Sequence, residues 1–130
     1  MDIYREEILD HWRNPQNFGE MKKPDVVIDQ VNPLCGDEIT FFFKFEKKRT
    51  LNFELRNSKL KEVTFTGSGC AISIASASIL SENIRGKSVS ALSKITGRDV
   101  LKLIGGSVAP ARLKCAFLAL EALRKLRVNS

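Results

Sequence analysis

The feature that most limits the fold is a change of hydrophobic pattern at Gly67-Ser68-Gly69. Before it, segments 26–31, 39–45, 51–55 and 60–66 are rich in Val, Ile, Phe and Thr, and Lys, Asn, Ser and Asp fill the intervals. Such segments form strands, and their succession predicts an antiparallel sheet of three or four. After the glycines the pattern becomes helical. Ile72, Ala75, Ile79 and Leu80 can share one helix face, and Gly86 is placed to end that helix near residue 85. Ser88 can cap a short helix through Ile95, residues 98–104 can form another stopped by Gly105-Gly106, and a last helix spans 113–127. In that last helix Ala116, Leu120, Leu123 and Leu126 face inward and Glu121, Arg124 and Lys125 face water. Strands first and helices afterwards is the order of an α+β fold, with helices packed on one face of a small antiparallel sheet.

The chain opens on a further helix over 2–13, where Tyr4, Ile8 and Trp12 recur every four residues until Asn14-Pro15 ends it. His11, the single histidine, reads as a packing or surface imidazole, because alone it supplies no ligand cluster. With 130 residues, 43% of them hydrophobic, the expectation is one domain over 1–130. The apolar runs fall short of the roughly 20 residues of a membrane span. The first twenty residues carry acids throughout and lack the pattern of a secretion signal, so a cytoplasmic location is expected. The net charge of +6 is spread over several stretches, without a helix-turn-helix pattern or a close cysteine pair. It reads as a solvated face or a protein-docking patch rather than a nucleic-acid surface.

Three cysteines are an odd number, which argues against a disulfide framework and leaves burial, catalysis or metal binding. Each sits where regular structure begins or ends. Cys35 lies in the turn between two expected strands, Cys70 follows the glycine loop and opens a helix, and Cys115 opens the last helix after Ala109-Pro110. A thiol at a helix N-terminus is biased toward the thiolate, which is both the nucleophile and the metal ligand. Asp37 is two residues from Cys35, so in extended chain both side chains leave the same face. Three thiolates and a carboxylate suit zinc, or an iron–sulfur cluster with one replaceable oxygen ligand.

Spacing alone matches no compact metal motif; the surrounding residues are more specific. Asn32-Pro33-Leu34-Cys35-Gly36-Asp37, Gly69-Cys70-Ala71-Ile72-Ser73 and Ala111-Arg112-Leu113-Lys114-Cys115-Ala116 together resemble the iron–sulfur cluster scaffold family of the NifU, IscU and SufU type. The opening segment through His11, Asn14-Pro15 and Asn17-Phe18-Gly19 is similar to that family as well. The resemblance covers nearly the whole chain. It implies that Cys35, Asp37, Cys70 and Cys115 hold Zn2+ or alternatively a [2Fe-2S] cluster. It also implies a cysteine desulfurase as principal partner and apo iron–sulfur proteins as recipients.

IscU-type chains have a histidine before the third cysteine, where this chain has Lys114, and their Leu-Pro-Pro-Val-Lys segment is absent here. The segment Pro110-Ala111-Arg112 is similar to SufU, although the extra length common in SufU-like chains between the second and third cysteines is missing. Added length lies instead between Cys35 and Cys70, where 47–55 reads as an extended hairpin. The resemblance thus implies a zinc-binding protein that accepts persulfide sulfur, with Cys35 as acceptor and Cys115 as the alternative. Arg112 and Lys114 would lower the pKa of Cys115 and attract the anionic persulfide. The other readings are a [2Fe-2S] scaffold proper and a structural zinc module binding nucleic acid.

Overall fold

The computed structural model describes residues 3–33, 36–46, 58–106 and 108–126. Its elements are α1 (Ile3–Arg13), β1 (Val26–Asn32), β2 (Asp37–Phe45), β3 (Leu60–Ser68), α2 (Ala71–Ile84), α3 (Val89–Leu92), α4 (Gly97–Ile104) and α5 (Leu113–Leu126), with one 3-10 turn (Pro110–Arg112) leading into α5. The expected strand at 51–55 and the hairpin at 47–55 lie outside the described residues.

The described strands form an antiparallel sheet in the order β1-β2-β3, and the fold is the α+β arrangement expected. β2 shows which face the described helices cover. Its alternate residues Ile39, Phe41, Phe43 and Phe45 are buried, and Asp37 heads the same inward row. Phe65 of β3 continues the aromatic layer beside Phe41, and α2 and α5 cover this face. At the free edge of β3, Asn17 and Gly19 exchange backbone hydrogen bonds with Phe65 at 3.0 and 2.8 Å, which shields that end of the strand. Opposite Ile39 stands Gly67, where a Cβ would lie 2.7 Å from the Ile39 Cδ1.

Three local expectations are corrected. α2 is not one-sided: residues 73–81 are all buried, because the sheet and α5 pack on one side while α1 and α4 pack on another. Its Ser and Ala residues permit this close approach. In α1 the inward row does not run through Trp12, which is 44% exposed. Ile8 and His11 turn inward instead, with His11 Nδ1 at 2.7 Å from Ser78 Oγ and Nε2 at 3.6 Å from Glu82 Oε1. This polar contact with α2 sets the rotation of α1. The Tyr4 side chain falls outside the described part. Finally, α3 stops at Leu92, short of Ile95, although Ser88 caps it by accepting the Ala91 N–H. α4 ends as expected at Gly105, whose φ of +117° suits glycine.

Candidate metal centre

Asp37, Cys70 and Cys115 come from the starts of three separate elements and meet at one end of the sheet. One potential ligand atom from each lies within 4.8 Å of the other two. Asp37 and Cys115 are buried, Cys70 is half-buried, and both described thiols are free. Cys35 lies outside the described residues. Its neighbour Gly36, at φ +71°, returns its N–H to the Asn32 carbonyl at 2.9 Å, next to the pairing of Asn32 with Asp37.

The local sequence explains this meeting. Inward alternation along β2 leads from the phenylalanines to Asp37, so the core-facing row ends in a carboxylate. Cys70 occupies the N-cap of α2 but makes no capping bond with its side chain. Its Sγ instead donates to Asp37 Oδ2 at 3.7 Å, while its backbone N–H donates to Oδ1 at 3.1 Å. Gly69, at φ +148°, lets the backbone pass against this carboxylate; a Cβ there would lie 2.7 Å from the Asp37 Cγ.

Ser73, missed by the sequence reading except as motif context, completes the cluster. Fully buried in the first turn of α2, it donates its hydroxyl hydrogen to Asp37 Oδ2 at 2.6 Å and stands 3.6 Å from Cys70 Sγ. The available signal was its position three residues after Cys70, which places the two on one helix face. His11, treated as a packing residue, is absent from the cluster and serves α2 through Ser78.

Charge behaves differently at the two ends of the cluster. Burial works to raise the Asp37 pKa, but hydrogen bonds from Ser73, the Cys115 thiol and the Cys70 amide and thiol outweigh it and hold the carboxyl below its ordinary value. The Cys115 thiol is pushed up to about 12 by burial, then by the Asp37 carboxylate and Cys70. The expected lowering by a helix terminus, Arg112 and Lys114 is therefore overturned. Arg112 and Lys114 are exposed, whereas Cys115, in the first turn of α5, is buried against Asp37 and Cys70, and that burial outweighs the helix start.

Two sulfurs and a carboxylate oxygen in a buried polar cluster fit zinc, and equally the thiolate-rich coordination of an iron–sulfur cluster. Asp37, Cys70 and Cys115 could hold either, with room in a tetrahedral set for one ligand more. Among the described residues, no helix is long and apolar enough to cross a membrane.

Comparison with known proteins bears on the family and the fold. Residues 3–127 match the family model of the NifU-like N terminal domain. The chain is 36% identical to the zinc-dependent sulfurtransferase SufU of Bacillus subtilis, covering 95% of this chain and 88% of that protein. It is 31% identical to the iron–sulfur cluster assembly scaffold protein IscU 1 of Archaeoglobus fulgidus, covering 98% and 76%. Among solved structures, the putative iron–sulfur cluster assembly scaffold protein for the SUF system from Fervidobacterium islandicum superposes with a TM-score of 0.75 at 25% identity, over 92% of this chain and 93% of that one. On the match to nearly its whole length, the chain belongs to the family of the NifU-like N-terminal domain, which includes the IscU and SufU proteins.

Proposed function

We propose that this protein works in iron–sulfur cluster assembly, binding zinc through Cys35, Asp37, Cys70 and Cys115 and accepting sulfur from the persulfide of a cysteine desulfurase. The observation that carries this reading is the convergence of Asp37, Cys70 and Cys115 from three elements within 4.8 Å. Zinc, when bound, would keep the ligating sulfurs as thiolates at neutral pH.

Cys35 is the proposed acceptor. Its thiolate attacks the terminal sulfur of the partner persulfide; a new S–S bond forms on Cys35, the partner's S–S bond breaks, and the partner cysteine leaves as thiolate. Support comes from the contrast with Cys115, the alternative acceptor, whose thiol is buried and so less open to a partner's persulfide. Gly36, next to Cys35 in sequence, takes a left-handed φ of +71° that suits glycine, whereas Cys115 is held within α5. Arg112 and Lys114, exposed beside the site, would attract the anionic partner group without needing to ionise Cys115. Cytoplasmic apo iron–sulfur proteins are the proposed recipients.

Metal analysis of freshly purified protein, together with location of the persulfide after incubation with desulfurase and cysteine, tests the reading. About one zinc per chain and persulfide on Cys35 are expected. Protein without zinc or iron, its three thiols all freely reactive, would refute the shared centre. A second reading, assembly of a [2Fe-2S] cluster on the same residues, is favoured by the carboxylate oxygen in the cluster, a more exchangeable ligand than sulfur. A stable visible chromophore after anaerobic reconstitution would select it.

A further inference from the structure

We propose that Ser73 is a positioning residue of the metal centre, whose hydroxyl holds Asp37 in its ligating place against the negative charge of metal-bound sulfurs. The inference rests on the metal-centre reading above and extends it to a side chain that would not itself touch the metal.

Asp37 has two kinds of donor. The thiols of Cys70 and Cys115 bond to it in the metal-free chain, but a sulfur bound to a metal no longer donates a hydrogen. The Ser73 hydroxyl and the Cys70 amide keep their hydrogens. Each serves a different oxygen, Ser73 on Oδ2 at 2.6 Å and the amide on Oδ1 at 3.1 Å. Without Ser73, Oδ2 would face the sulfurs with no donor of its own. Burial of Ser73 leaves little space for water to replace it.

Other serines of α2 have different work. Ser78 serves His11 and the Gln16 amide, Ser81 serves the Ser78 carbonyl and Asn17, and the buried Ser76 hydroxyl has no hydrogen-bond partner among the described residues. Ser73 is also tied in sequence to Cys70, so one helix turn delivers a sulfur and the hydroxyl that steadies the neighbouring carboxylate. The backbone at Gly69 closes the opposite side of that carboxylate. Outer partners of this kind commonly tune affinity about 10- to 100-fold.

The test is zinc affinity by competition with a chromophoric chelator, and the visible spectrum of the cobalt-substituted protein, for wild type, Ser73→Ala, Ser73→Thr, Ser76→Ala, Asp37→Asn and the double variant Ser73→Ala/Asp37→Asn. Ser73→Ala should bind zinc about tenfold or more weakly and change the cobalt spectrum. Ser73→Thr, which returns the hydroxyl, should recover both, and Ser76→Ala should match wild type. In the Asp37→Asn background, Ser73→Ala should cost little further affinity, because its action passes through the carboxylate. This comparison and the threonine variant retain the test if Ser73→Ala folds poorly. Wild-type affinity and spectrum in Ser73→Ala, or an equal loss in Ser76→Ala, would overturn the role of Ser73 while leaving the metal centre standing. Wild-type protein that takes up neither zinc nor cobalt would overturn the metal centre, and the role of Ser73 with it.

Discussion

Asp37 Oδ1 accepts the backbone hydrogen of Cys70, so the first residue of β2 acts at the start of α2 as the carboxylate of a capping box acts in α4. There Asp99 accepts the Thr96 amide from within its own helix; here the acceptor comes from another element. Asp37→Ala would therefore strand the Cys70 amide and the buried Ser73 hydroxyl. We expect a loss of about 1–3 kcal/mol in the metal-free protein, read by urea denaturation. Asp37→Asn, which retains an acceptor oxygen, should lose less stability while also losing zinc affinity. Equal stability in wild type and Asp37→Ala would show that these bonds do not support the fold.

Gly69→Ala should damage the centre specifically. Its φ of +148° disfavours a side chain, and the new Cβ would press on the Asp37 carboxylate. Backbone strain of this kind costs about 1–3 kcal/mol, and displacement of the carboxylate should also lower zinc retention. Dialysis followed by metal analysis checks the second effect, and melting of the metal-free protein checks the first. Full retention with unchanged melting would mean that the loop relaxes without moving Asp37.

The metal-free protein should lose stability toward both pH extremes. Asp37, held below its ordinary carboxylate pKa, contributes stability above the unfolded carboxyl's pKa that is lost as pH falls through the folded value. The Cys115 thiol moves from an ordinary 9.0 to about 12, so above about pH 9 the unfolded chain binds fewer protons and stability falls toward pH 12. Denaturation as a function of pH, comparing wild type with Cys115→Ala, should show a flatter alkaline limb in the variant. At pH 8 an alkylating reagent should also modify half-buried Cys70 before buried Cys115. The reverse order by mass spectrometry would contradict the protected state of Cys115.

His11→Ala should lower stability by about 1–3 kcal/mol, because it removes the imidazole bonded to buried Ser78 and leaves Glu82 without its facing group. Zinc content should remain unchanged. Loss of zinc as severe as in Cys70→Ser, measured on folded protein, would show that His11 participates in the centre.

The acceptor role proposed for Cys35, against the buried thiol of Cys115, can be read directly. After incubation with desulfurase and cysteine, persulfide should vanish in Cys35→Ser and persist in Cys115→Ser. The opposite pattern by mass spectrometry would assign the acceptor to Cys115.

The three described strands and the ends of most helices were legible because their signals are local. Phe41, Phe43 and Phe45 alternate, Ser88 and Gly105 punctuate, and Cys70 stands at a helix start. The meeting of Cys70 and Cys115 with Asp37 was legible only through the residues surrounding each, since the ligand spacing itself is long and irregular. What escaped depended on contacts between elements. Trp12 and His11 are adjacent, and helical period alone favoured the aromatic residue; the bond to Ser78 turns the imidazole inward. The thiol of Cys115 was misjudged for the same reason: sequence shows a helix beginning nearby, but not the burial and the neighbouring carboxylate that outweigh it.

The place of Asp37 at the head of the inward phenylalanine row makes the centre a sensor of strand alignment. A shift of β2 by one residue would carry Ile39, Phe41 and Phe43 to the face opposite α2 and α5 and take the carboxylate away from both sulfurs in the same movement. Misaligned chains would thus surrender the core and the donor set together. Metal uptake during refolding should consequently follow formation of the correct sheet, and chains trapped out of alignment should be marked by their failure to retain the ion.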